Sequence, residues 1–128
     1  MDDQIRQFVV TARHALPDAA ASADRNLSEG ELDGTDASGY LWIEAVAEAT
    51  NRLLRARETQ RARAHLAFFS RHLAGGPPAV RECIKVSYAQ NLLWNLPPED
   101  RRWAWPLIPA NLQACYAALW GRPDAPDA

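Results

Sequence analysis

His65 and His72 stand seven residues apart, and Cys83 and Ser87 four apart, so a helix would carry each pair along one face. Imidazole, thiol and hydroxyl groups ligate metals and perform nucleophilic catalysis, and both chemistries require close convergence. Two helical turns separate the histidines by about 10 Å, too far for one metal ion without ligands from another element. No His or Glu lies four residues from either ring. A nucleophile needs a base and an orienting acid beside it, and neither Cys83 nor Ser87 has a histidine near it in sequence. Cys115 is separated from Cys83 by 31 residues, a spacing that matches no zinc or redox motif. Phosphate-loop and dinucleotide fingerprints are missing as well. These residues point to no catalytic, metal or cofactor site. A small enzyme would require the fold to bring His65 or His72 against a Cys or Ser.

Recognition chemistry is better represented. Glu29, Glu31, Asp33 and Asp36 are followed by Tyr40, Glu44 and Glu48, so carboxylates flank aromatic residues. Aromatic anchors supply binding energy and charge supplies rate and selectivity, which makes this segment the candidate partner-binding surface. Solvation of a loop is the alternative use of the same acids. Arg52, Arg55, Arg57, Arg61, Arg63 and Arg71 form a basic run interrupted by one acid, Glu58. They scatter around their helices, which favours a solvated face that pairs with the acidic half over a phosphate-binding stripe. Ser87 and Asn91, one turn apart on an apolar stripe, are expected to be tied internally, with a ligand contact as the alternative. Trp103 and Trp105, on a Pro-bounded turn, either cap the core or stand exposed.

The elements that position these groups read as helices. Ile5, Phe8, Val9, Ala12 and Leu16 mark one face of a helix over residues 3–16, with Asp2 and Asp3 suited to its start and Pro17 at its end. Residues 17–39 are rich in Asp, Ser, Gly and Ala and read as a long acidic linker with room for one short helical turn. Further helices are expected over 40–55, 58–73, 78–96 and 109–120, with a short turn over 99–105. The Gly75-Gly76-Pro77-Pro78 run forces a stop and restart, and Gly121 suits a helix C-terminus. Strand-like alternation is absent. The expected fold is all-α, a compact antiparallel bundle or helical-hairpin array of about five helices. It forms a single domain over 1–121, with a flexible tail over 122–128.

Charge is divided along the chain. Residues 1–50 hold ten acids and three bases, while residues 51–128 hold eleven bases and six acids, so the formal net charge of −2 conceals an acidic front and a basic back. A pI near 5.9 weighs against nucleic acid as the main partner. The acidic N-terminus lacks the features of a signal peptide, which predicts a cytoplasmic location with reduced thiols. The stretch 103–121 carries no formal charge, but Pro106, Pro109, Asn111 and Gln113 interrupt it, so no membrane span is expected.

The run His65-Leu66-x-Phe68-Phe69, the Gly/Pro turn, Val86-Ser87-Tyr88-Ala89-Gln90-Asn91-Leu92 and Leu107-Ile108-Pro109-x-x-Leu112 resemble a poorly characterised bacterial all-helical domain family. The likeness spans Arg61–Trp120 and leaves the acidic stretch outside. Some members of that family are immunity proteins of polymorphic toxin systems. The resemblance implies a cytoplasmic antidote that covers the active site of a cognate toxin domain, without a catalytic residue or cofactor of its own. The rival expectation is a regulatory or nucleic-acid-binding helical module that uses the Arg-rich second half. Neither expectation defines an oligomeric state.

Overall fold

The computed structural model describes residues 2–27 and 36–124, with seven α-helices and no strand among the described residues. Helix α1 (Asp3–Ala15) starts where the Asp2 carboxylate accepts from the Gln4 and Ile5 backbone N–H groups at 2.7 and 3.4 Å. It buries Ile5, Phe8 and Ala12, the face that its periodicity predicts. Pro17 has a second role beyond ending α1. It pushes Leu16 out of the helical region and then opens α2 (Pro17–Asn26) as its first residue.

Helix α2 corrects the expected linker over 17–39. Ala19, Ala20, Ser22 and Ala23 are buried and pack the helix onto α3 (Asp36–Arg55), which itself begins four residues earlier than its large apolar residues suggest. A face built from Ala and Ser has no large hydrophobic stripe to betray it, yet Ala is the best helix former and its small side chain admits close helix packing. Residues 28–35, the remaining core of that linker, lie outside the described residues, as do 125–128 of the expected tail.

Helix α3 is central and packs against α1, α2, α4 (Thr59–Gly75) and the segment after α5 (Pro78–Cys83). Trp42, Ile43, Val46 and Leu54 from α3 meet Leu66 and Phe69 from α4, together with Ile84, Tyr88 and Leu112, all essentially inaccessible to solvent. Gly76 ends α4 where a Cβ would come within 2.5 Å of the His72 carbonyl oxygen, so the turn into Pro77 tolerates no side chain.

The expected helix over 78–96 is a second correction. Only α5 is regular. Ile84–Tyr88 continues as one π-helical turn and Ala89–Asn91 as a 3-10 turn. The Asn91 amide donates to the Ser87 and Val86 carbonyls at 2.9 and 3.3 Å, satisfying groups that a continuing helix would have bonded. The expected turn over 99–105 forms α6 (Pro98–Ala104) and a 3-10 turn, and α7 (Ala110–Trp120) follows. The helix count is therefore seven rather than about five, since short Pro-initiated helices carry too few residues to show a period.

Asp24 fastens the three N-terminal helices together. It accepts two hydrogen bonds from Arg13 of α1, at 2.7 and 2.9 Å, and one at 3.0 Å from the buried Trp42 indole of α3. The Arg13 guanidinium, hydrogen-bonded to Asp24, holds the carboxyl below its ordinary range. Asp24→Ala is expected to destabilise the fold by about 1 kcal/mol, mostly by orphaning the indole N–H, because the ion pair is partly solvated. Urea unfolding measures it. A variant with an unchanged midpoint would remove this role.

Candidate functional site

The backbone after the π turn does something a helix cannot. Leu92 and Leu93 are both buried, and Leu93 adopts a left-handed conformation, φ 67°. Asn95 does the same at φ 61°, and between them Trp94 is turned outward, 59% exposed. A left-handed leucine costs on the order of 1 kcal/mol. The compensation comes from α3. Asn51, itself buried, donates through Nδ2 to the Asn91 carbonyl at 2.9 Å and accepts from the Leu93 N–H at 2.7 Å. Arg55 donates to the Asn95 carbonyl at 2.6 Å. Trp94 therefore stands on a strapped loop, and little ordering entropy remains to be lost on binding.

A second indole stands beside it. Trp120, at the end of α7, is 53% exposed and its ring centroid lies 6.4 Å from that of Trp94. Its Nε1 donates to the Gln90 carbonyl at 2.8 Å, which fixes the ring. A hollow of about 270 Å³ is lined by Trp94 together with Glu44, Glu48, Asn51 and Asn91. Both glutamates are exposed, and Glu44 carries no ion pair among the described residues, while Glu48 lies 3.9 Å from Arg52. Two carboxylates and an indole face bordering one hollow suit a lysine or arginine side chain, through charge and cation–π attraction.

The residues expected to bind a partner divide unevenly. Tyr40, Glu44 and Glu48 are four apart along α3, so they share a face; Tyr40 is half-buried against the core and the glutamates reach the Trp94 hollow. Asp36 is the first residue of α3. Glu29, Glu31 and Asp33 lie outside the described residues. Neither Trp94 nor Trp120 stands out in sequence, since the expected helix over 78–96 contains the first and that over 109–120 ends on the second. The available signal was Asn95, since Asn is among the non-glycine residues that most readily adopt left-handed backbone and Pro97-Pro98 closes the segment.

The other candidates resolve into packing. Asn91 caps carbonyls of its own segment, the internal tie expected of it, and Ser87 is buried. Trp105 is buried and Trp103 is half-buried under the Arg57 guanidinium, 3.9 Å from the ring centroid, so this pair caps the core. Arg61 pairs with Asp18 at 3.3 Å and Arg52 with Glu48 at 3.9 Å, carboxylates of the acidic half, whereas Arg57 pairs at 2.9 Å with Asp100 of its own half. Neither cysteine forms a disulfide. His72 packs beside Phe8 and Phe68, and burial followed by the Arg71 charge lowers its pKa. His65 is buried, and its Nδ1 lies 2.9 Å from Thr50 Oγ1, which is in turn 2.9 Å from the Tyr88 hydroxyl. Burial, reinforced by Arg61, lowers the His65 pKa to about 4. No group of three or more metal-ligating side chains converges among the described residues, and no helix there is long and apolar enough to cross a membrane.

A family profile described as a domain of unknown function, DUF7674, matches residues 11–121 and so takes in the acidic stretch as well as the helices after it. Comparison with curated proteins and with solved structures gives no match.

Proposed function

The chain belongs to the DUF7674 family of domains of unknown function, and on that premise we propose that it is a non-catalytic protein-binding domain. Its partner face centres on Trp94 and takes in Trp120, Glu44 and Glu48 beside it. The observation that carries this reading is Trp94 itself, a 59% exposed indole held outward by two left-handed residues and by side chains of α3. Native chains rarely bear backbone strain in order to expose tryptophan unless something covers it. Tryptophan is also among the residues most enriched where binding energy concentrates.

The partner surface is basic. Glu44 and Glu48 supply negative charge at the hollow, and Glu29, Glu31, Asp33 and Asp36 precede them in sequence with the same sign. Such a surface accelerates association with a cationic protein and weakens that acceleration as salt rises. The partner class we propose is a cognate toxin domain, which this chain would neutralise by covering its active site in the bacterial cytoplasm. The support for that class is the resemblance to immunity proteins carried by Arg61–Trp120, together with the acid–indole face.

The test is to recover the partner by co-purification from the native host and to measure its association with variants of this chain. Trp94→Ala is expected to weaken binding at least tenfold, mainly through faster dissociation. Glu44→Lys with Glu48→Lys is expected to slow association, most strongly at low salt. Wild-type kinetics in both variants would exclude this face. Co-expression with the partner's gene tests neutralisation, and a partner whose toxicity this chain leaves unrelieved would exclude the immunity role.

A further inference from the structure

Helices α2, α3 and α4 converge on a cleft of about 400 Å³ on a part of the surface that shares no lining residue with the Trp94 hollow. Its walls include Arg25 and Ser22 from α2, Arg52 from α3, Arg61 and His65 from α4, and one carboxylate, Asp18. Asp18 answers Arg61 at 3.3 Å, and Arg52 donates to Ser22 Oγ at 2.9 Å while Glu48, outside the lining, reaches it at 3.9 Å. Arg25 has no ion pair among the described residues. Positive charge therefore exceeds negative charge around this cleft.

His65 also forms part of the wall. Its side chain belongs to a residue only 6% exposed, yet it lines the cleft. Its Nδ1 lies 2.9 Å from the Thr50 hydroxyl oxygen. Thr50 donates to the Val46 carbonyl at 3.2 Å and its hydroxyl also lies 2.9 Å from that of Tyr88, which is inaccessible to solvent, so a buried polar chain backs the His65 ring.

We propose that this cleft binds the phosphate group of a small metabolite, held by the guanidinium groups of Arg25, Arg52 and Arg61 with the His65 ring in its wall. Donors arriving from three helices match a tetrahedral dianion, whose oxygens point in several directions, better than a planar carboxylate. The proposal concerns a site separate from the protein-docking face and stands independently of it.

Isothermal titration of the full chain with inorganic pyrophosphate at low ionic strength tests it, alongside a single-stranded RNA oligomer. The expected result is one saturable pyrophosphate site with a Kd below about 1 mM. Arg25→Gln should weaken it at least fivefold and Arg52→Gln at least tenfold, while Arg102→Gln leaves it unchanged. Arg25 is exposed and free of ion pairs, so its substitution leaves folding intact even if Arg52→Gln, which breaks the Ser22 contact, does not. In NMR spectra the His65 ring resonances should move with saturation while those of His14 stay still. Absence of saturable pyrophosphate binding, equal weakening by Arg102→Gln, an unmoved His65, or binding of RNA alone would each overturn the assignment.

Discussion

Phe69→Ala is expected to lower the unfolding free energy by about 3–5 kcal/mol, the range for removing a fully buried phenyl ring from a close-packed core. Phe69 is inaccessible to solvent and stacks on Tyr88 with ring centroids 3.6 Å apart. It also meets Phe8 and Phe68 edge-on, at 5.8 and 5.2 Å. One side chain thus joins α1, α4 and the π turn, and each aromatic pair adds to the stabilisation from area alone. Domains are commonly stable by only about 5–15 kcal/mol, so the variant sits near the edge of folding. Urea unfolding followed by tryptophan fluorescence measures the loss. Phe69→Leu should recover a large part of it. A Phe69→Ala midpoint close to that of the native sequence would mean that the aromatic cluster does not organise the core.

Acidification should destabilise the protein through His65. The ring's pKa is about 4 in the fold, against an ordinary value of 6.5, chiefly because burial penalises the imidazolium and secondarily because Arg61 repels it; Asp18 opposes the shift. Between those two values the unfolded chain binds a proton that the folded chain refuses. Stability from this group is therefore complete above about pH 6.5 and falls as pH drops toward 4. The full effect is about 3 kcal/mol, of which about 2 is lost by pH 5. His65→Gln, which can still meet Thr50 but cannot titrate, should flatten that part of the profile when urea midpoints are compared between about pH 7 and pH 5. A wild-type profile as flat as that of the variant would contradict the burial-driven shift.

The acidic half and the basic half find each other in the folded chain. Arg61 of α4 meets Asp18 of α2, so opposite signs 43 positions apart in sequence become neighbours on separate helices, while Arg52 meets Glu48 one turn away on α3. That outcome was foreseeable from charge division together with an all-helical fold. The excess of arginine left around the cleft was not, because it depends on which guanidiniums face the same side of three helices. The distinction between a solvated basic face and an anion site is a matter of a few ångströms, below anything that composition or spacing resolves.

Periodic runs of large apolar residues were enough to locate α1, α3, α4 and α7, because burying a wide stripe is what stabilises a helix. Proline and glycine were enough to bound them, since Pro17, Gly76, Pro78 and Pro98 act through their own backbone restrictions. The Glu44–Glu48 face followed from a four-residue spacing. Helix α2 was hidden, because alanine and serine signal burial only when a partner helix approaches closely enough to cover them. The break after Tyr88 was hidden too. Its local sequence suits a helix, and the tertiary contacts of Asn51 and Arg55 from α3 outweigh that preference. Trp94 consequently points outward only in the folded chain: its exposure is decided by hydrogen bonds to residues some forty positions away, which local spacing cannot encode.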